Sequence, residues 1–382
     1  MEPGASIERV LTASLARLGA VHRGFGDRFP TVGEGRCYRL AANDHWLAGF
    51  WTGLLWLGWA ATGDDELRAH AESLLPGFRE RLEGRVHLTH DLGFLFTLSA
   101  RAQWQLTANE EARHLALLAA RELARRYRPA GRYIQAWGEL ADAVEAGRAI
   151  IDTMMNLPLL FWAARETGDV EAHRAAREHA ETSLRYLLRP DGASYHTFLF
   201  DPATGEPLGP RTHQGYADDS LWARGQAWTI YGFALAAEWC REPRFQDAAR
   251  RAAERFLVEL PPDGIVPWDL RLPEARVSGE PPYPDSSAMA IAAGGLLRLA
   301  RLDGEPRSGE FRAAACTLLE NLIAHCWESE PTGEGLLRHA TVHARRGQGV
   351  DAYFICGDYY FLEALLAVQG QAPDFWGPGG SS

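Results

Sequence analysis

Asp91, in LTHDLGFLF, and Asp152, in AIIDTMMNLPLLFWAA, each place a carboxylate among apolar residues. Burying such a group without a partner or a task is expensive. Two carboxylates facing one another would push one pKa upward and create a proton donor at neutral pH. Sugar-cleaving chemistry needs that arrangement. The competing account is helix capping, because aspartate is a favoured N-cap and complements the helix dipole. Capping accounts well for Asp219 and Asp285, in ADDS and PDSS. It accounts less well for Asp152, which follows Ala149-Ile150-Ile151, a run that reads as already helical.

Aromatic residues form a second constellation. Trp46, Trp137, Trp222, Trp228 and Trp268, with Tyr283, fall at the starts of apolar segments or just before them. Most such rings are packing residues, yet flat rings beside acids suit the apolar faces of sugars. Arg224 and Trp228 lie four apart, hence on one helical face, in the apolar segment SLWARGQAWTIYGFA. His213 and Gln214 lie upstream, with His196 further back. A buried arginine wants an anion, either a protein carboxylate or a substrate one, and its setting leaves both open. HATVH from His339 spaces two histidines at i and i+4 but lacks the glutamate of the zinc-protease motif, and HLTH from His87 is similarly bare, so no metal site is expected. Neither a nucleophile elbow nor a dinucleotide glycine fingerprint is present. The chain has no lysine, which removes phosphate-loop and Schiff-base chemistry.

Two kinds of helical segment would position these groups. Some are apolar on nearly every face, such as WLAGFWTGLLWLGWA from Trp46, despite Gly49, Gly53 and Gly58. Others carry one stripe, such as Leu67, Ala71, Leu74, Leu75, Phe78 and Leu82. A recurring turn joins them: ATGDDELRAHA, LTANEEARHLA and ETGDVEAHRAA, then the looser CREPRFQDAA and LDGEPRSGEFRAAA. Glycine ends the first helix and Asp or Asn caps the second. The pattern predicts about six inner and six outer helices. Solenoid repeats keep a near-constant period of about 34 to 47 residues, and these turns do not. The expectation is therefore an all-α (α/α)6 toroid forming one domain over residues 1–382. SYHTFLFDPATGEPLG, from Ser194, reads as a short β-hairpin insertion. In a closed ring the polar helix starts would converge, bringing Asp44, His45, His90, Asp91, Asp152, Asp218, Asp219 and Asp285 to one cavity.

Composition narrows the partners. The formal charge of −11 argues against nucleic acid but allows a small anionic substrate in a locally positive pocket. The apolar stretch Trp46–Ala61 is short for a membrane span. No signal peptide is evident, and five scattered cysteines fit a reducing cytoplasm.

HDLGFLF, IIDTMMNLPLLFWAA, HQGYADDSLWARGQAW, VPWDL with a following DSSA, and GDYYFLEALL occur in this order between about Trp46 and Leu366. Each is modest alone, but the ordered set resembles glycoside hydrolase family 88, the unsaturated glucuronyl hydrolases. The resemblance implies an (α/α)6 barrel without metal or organic cofactor. It also implies a small unsaturated oligosaccharide substrate, such as a disaccharide left by a polysaccharide lyase. Its chemistry is hydration of the carbon 4–carbon 5 double bond, with release of the neighbouring sugar. Matched motif by motif, Asp152 is the general acid/base and Asp91 its companion carboxylate. His196, Gln214, Arg224 and Trp228 match substrate contacts, and Trp46 and Trp137 match aromatic platforms. Two departures stand out. The loop LLRHATVHARRGQGVDAY lacks the lysine found in sulfate-preferring members, although Arg345 and Arg346 lie in it, and Cys356 stands where a larger aromatic is expected. The rival readings are an enzyme for unsaturated rhamnogalacturonides, which HDLGF argues against, and a non-catalytic helical repeat, which would not need acids in apolar helices.

Overall fold

The structure, a computed structural model, describes residues 3–273 and 283–379. The chain opens with α1 (Pro3–Phe25), the hairpin β1 (Phe29–Glu34) and β2 (Cys37–Ala41), then α2 (Ala48–Thr62), α3 (Asp65–Ser73) and α4 (Leu75–Glu83). α5 (Leu92–Phe96) runs through a π-helical turn into α6 (Ala102–Thr107), and α7 (Glu110–Ala124) follows. Strands β3 (Tyr127–Arg128), β4 (Tyr133–Ile134) and β5 (Arg148–Ile150) lead to a 3-10 turn, Ile151–Met155, and on to α8 (Leu157–Thr167) and α9 (Val170–Thr182). β6 (Thr197–Phe200) and β7 (Pro207–Arg211) precede α10 (Ala223–Cys240), α11 (Pro243–Val258), α12 (Ser286–Leu302), α13 (Arg307–His325) and α14 (Ile355–Val368). The protein is mostly helical with small hairpins.

The helices sort as their periodicity predicts. α2 is buried without a break from Ala48 to Gly58, and α10 from Ala223 to Ala237. α7 buries only the stripe Ala112, Leu115, Ala116, Ala119, Ala120 and Leu123. The apolar helices pack in succession: α2 on α5, α5 on α8, α8 on α10, α10 on α12, α12 on α14, and α14 on α2 again. The striped helices lie against them, with α3 on α2, α7 on α5's continuation and α8, α9 on α8, α11 on α10, α13 on α12, and α1 on α14. The glycines of α2 do not break it; at Gly49 a Cβ would come within 2.5 Å of the Phe94 carbonyl oxygen, so glycine permits this helix contact.

The turns follow the predicted chemistry in full at two places and in the cap alone at a third, where Ala108 takes the left-handed position. Gly63 and Gly168 close α2 and α8 in the left-handed region, and Asp64, Asn109 and Asp169 cap α3, α7 and α9 through their side chains. The two looser turns differ: Arg241 takes the left-handed position, and neither Glu242 nor Pro306 supplies a side-chain cap.

The expected hairpin is β6–β7, with Thr197 opposite Arg211. A third strand joins it, because β5 pairs antiparallel with β6 and sets Ile150 opposite Thr197. Ala149 and Ile150 are therefore extended, not helical. A short apolar run fits a strand or a buried helix equally by periodicity, and here the free edge of the hairpin captures it. No helix among the described residues is long and apolar enough to cross a membrane.

Candidate active site

The loops and first turns at the starts of the apolar helices enclose a cavity of about 560 Å³. Of the predicted site residues, Trp46, Asp91, Trp137, Asp152 and Gln214 line it, joined by His45 and His90. His196, Arg224 and Trp228 are buried behind its wall. Asp44, Asp218 and Asp219 are exposed and Asp285 is buried, and these four do not line the cavity. Convergence of the helix starts thus holds for half of the expected polar set.

Asp152 is the second residue of the 3-10 turn that follows β5. Pairing of β5 with β6 continues as an Ile151 N–H bond to the His196 carbonyl at 3.0 Å, which brings His196 beside the acid. His196 Nε2 stands 4.0 Å from Asp152 Oδ2, and neither atom has a hydrogen-bond partner among the described residues. The other ring nitrogen, Nδ1, accepts the backbone N–H groups of His213 at 3.1 Å and Gln214 at 3.2 Å. The ring proton therefore sits on Nε2, facing the acid. Burial holds His196 well below the usual histidine range, reinforced by His213 and Arg224, so the ring is neutral. Burial and, after it, the charge of Asp91 push the Asp152 carboxyl up to about 7, with Arg224 opposing the rise. The Trp228 indole N–H lies near enough to lower that value yet completes no hydrogen bond. A buried acid half-protonated near neutral pH, on a residue that lines the cavity, can give and take a proton.

Asp91 occupies the N-cap position of α5 but its side chain caps nothing. Its Oδ2 accepts the Thr89 hydroxyl at 2.9 Å, and His90 Nε2 lies 3.4 Å from Oδ1. The carboxylate is thus left beside Asp152 as a fixed negative charge.

Arg224 and Trp228 do share one face of α10. The anion that Arg224 holds is Asp285, at 2.6 Å, and it also donates to the Thr341 and Val342 carbonyls at 2.9 and 2.8 Å. Of the two partners open in the sequence, the structure supplies a protein carboxylate. Capping fails for Asp285, which sits at the N-cap of α12 without a side-chain cap bond, and for Asp219, since Trp222 precedes α10. The pull of a buried guanidinium outweighs that of a helix terminus. Trp228 packs between Phe94 and Tyr360 behind the cavity wall.

Trp46 packs on Phe50 and Phe354, while Trp137 meets His213 at 5.0 Å and carries the Arg148 guanidinium 5.5 Å above its ring. Gln214 donates to the Val342 carbonyl at 2.7 Å, which ties its loop to the segment after α13. That segment supplies a residue missed in the sequence, His343. It lines the cavity 5.1 Å from His213, and both its ring nitrogens are buried without a partner among the described residues. Burial, then His213, Arg346 and Arg345, push it down to about 4. His343 is the second histidine of HATVH, a spacing weighed only for metal. Its place in a loop before an apolar helix, shared with His45, Trp46, His90 and Gln214, was the usable signal. Cys356 is fully buried close to Arg224, and nothing in the structure gives it a function. Among the described residues no three His, Cys, Asp or Glu side chains gather to hold a metal ion.

The model of Glycosyl Hydrolase Family 88 matches residues 24–256. The chain is 46% identical over 357 residues to the unsaturated glucuronyl hydrolase of Bacillus sp. strain GL1, covering 92% of this chain and 94% of that one. It is 40% identical to the unsaturated chondroitin disaccharide hydrolase of Streptococcus pyogenes serotype M1, covering 92% and 88%. The crystal structure of the Bacillus sp. GL1 enzyme, described as responsible for the degradation of glycosaminoglycan, superimposes with a TM-score of 0.94 at 43% identity. That match covers 98% of this chain and all of the other.

Proposed function

The chain belongs to glycoside hydrolase family 88, and from that premise we propose that it hydrates the carbon 4–carbon 5 double bond of an unsaturated glucuronyl residue at the non-reducing end of a lyase-generated oligosaccharide. It is a glycoside hydrolase. The observation that carries the reading is Asp152 itself, a carboxyl raised to about 7 that lines a cavity flanked by tryptophans and has one buried oxygen without a partner among the described residues.

In this reading protonated Asp152 gives its proton to carbon 4 as positive charge develops at carbon 5 and the ring oxygen. The fixed charge of Asp91 favours that cation and keeps Asp152 protonated until it is needed. The resulting Asp152 carboxylate then takes a proton from water, whose oxygen bonds to carbon 5. Asp152 is thereby restored, and the hemiketal opens to release the neighbouring sugar. His196 offers its Nε2–H beside the reacting acid, Trp46 and Trp137 serve as platforms, and Gln214 shapes the loop between them. Arg224 and Trp228 act from behind the wall, Arg224 by limiting the rise of the Asp152 pKa and by holding the backbone at Val342. The cluster Arg148, Arg345 and Arg346 lies near enough to depress His213 and His343, a locally positive mouth that suits a uronate on a chain of net charge −11.

The same proposal takes the architecture to be an (α/α)6 toroid in one catalytic domain. Support comes from helix contacts that return from α14 to α2 and from relatives matched over nine-tenths of the chain. Five free cysteines fit a cytoplasmic setting. The test is a panel of unsaturated disaccharides followed by loss of the ultraviolet absorbance of the double bond. Turnover of chondroitin-type disaccharides supports the reading; turnover of rhamnogalacturonan-type substrates alone, or of none, overturns it.

A further inference from the structure

We infer that Asn156, Thr153 and His90 form a brace that relieves Asp91 of helix capping and fixes its carboxylate against Asp152. The inference rests on these two aspartates being the reacting pair. Phe94 is the third residue of α5, so its N–H is a donor that an aspartate at position 91 would ordinarily take. That N–H goes instead to Asn156 Oδ1 of the neighbouring apolar segment, at 2.6 Å. Asn156 itself stands at the N-cap of α8 and leaves its own helix uncapped. α8 begins Leu157-Pro158, and proline brings no N–H that needs an acceptor. The two segments meet closely enough for this exchange only because residue 93 is glycine: a Cβ there would come within 2.3 Å of the Asn156 Cα.

The bond from Phe94 fixes which end of the Asn156 amide is which. Nδ2 then donates to the Asp152 carbonyl at 3.2 Å and faces His90 Nδ1 at 3.4 Å. Thr153 Oγ1 reaches the same His90 nitrogen at 3.0 Å. An amide NH₂ can only donate, so His90 Nδ1 is an acceptor and the ring proton sits on Nε2, directed at Asp91 Oδ1. Asp91 is thereby held by the side chains of Thr89 and His90, not by helix N–H groups. The titratable and charged groups around His90 are Asp91, Arg126 and His179; those around Asp152 are Asp91, Arg224 and His196. The brace is a positioning device, since none of its three side chains is assigned to a reacting atom.

Removing the cap in Asn156→Ala leaves Asp91 as the near acceptor for Phe94 N–H and turns its charge from Asp152. The measurement is the titration of the Asp152 carboxyl by ¹³C NMR of aspartate-labelled protein, its signal identified by its loss in Asp152→Asn. The expected result is a pKa about half a unit or more below wild type, with kcat down about tenfold and KM within about threefold. Thr153→Val should shift the titration the same way by less, and Thr153→Ser should restore it. A titration unchanged in both Asn156→Ala and Thr153→Val overturns the brace. Should Asn156→Ala fail to fold, the Thr153→Val and Thr153→Ser pair decides by the same criterion. The readout does not depend on turnover: a shifted titration in a protein inert towards every disaccharide would sink the activity and leave the brace standing.

Discussion

Acidic and amide residues meet two fates at the helix starts of this protein. On the outer helices Asp64, Asn109 and Asp169 cap α3, α7 and α9, accepting backbone N–H groups at 3.0, 2.9 and 3.0 Å. On the inner helices Asp91 and Asp285 occupy the same position and cap nothing. Asp285 binds Arg224, and Asp91 is displaced from its helix by Asn156. Residue type is nearly the same in both places. What differs is the neighbour: an outer helix start faces solvent, where the side chain's best partner is its own backbone, while an inner start faces another helix that supplies competing partners. A site is built where capping is taken over by something else.

The comparison is broken most severely at Asp152. Asp152→Asn keeps the shape but not the proton, so turnover should fall by about a thousandfold or more, measured as loss of double-bond absorbance with circular dichroism unchanged. Asp91→Asn should cost about a hundredfold. It should also lower the Asp152 pKa by removing a like charge, which moves the alkaline limb of the rate profile to lower pH. Near-normal rates in either variant would remove that aspartate from the reaction.

A smaller effect lies in stability. Burial raises the Asp152 carboxyl to about 7, so the folded state holds its proton more tightly than the unfolded chain does. Its contribution is fully present below the unfolded value, about 4, and is lost as pH rises through 7. Asp152→Asn should therefore melt like wild type near pH 4 but be more stable above pH 7 by about 2–4 kcal/mol. Thermal unfolding at the two pH values checks it, and a difference independent of pH would contradict the burial account. Smallest of all, Asp169→Ala on an outer helix should lose about 1 kcal/mol of stability and leave kcat unchanged.

Much of this was legible in the sequence because it is local. Fully apolar and striped segments name inner and outer helices, and Gly-Asp turns mark their junctions at residues 63–64 and 168–169. The apolar settings of Asp91 and Asp152 single them out, and both line the cavity. What was not legible depends on partners distant in the chain. Asp285, read as a cap, is claimed by Arg224 sixty-one residues away. Ala149 and Ile150 become strand because a hairpin fifty residues later offers an edge. His343 reaches the cavity from a loop whose histidine spacing pointed only toward metal, and Asn156 gains its role from Phe94, sixty-two residues away.

The central claim is that Asp152 protonates carbon 4 of a double bond in place of direct displacement at the glycosidic carbon. Turnover of an unsaturated chondroitin disaccharide in deuterium oxide, read by mass spectrometry and NMR of the product, tests it most directly. The account predicts loss of the double bond with one deuterium placed at carbon 4. A released uronic acid that keeps its double bond and carries no deuterium there would contradict it.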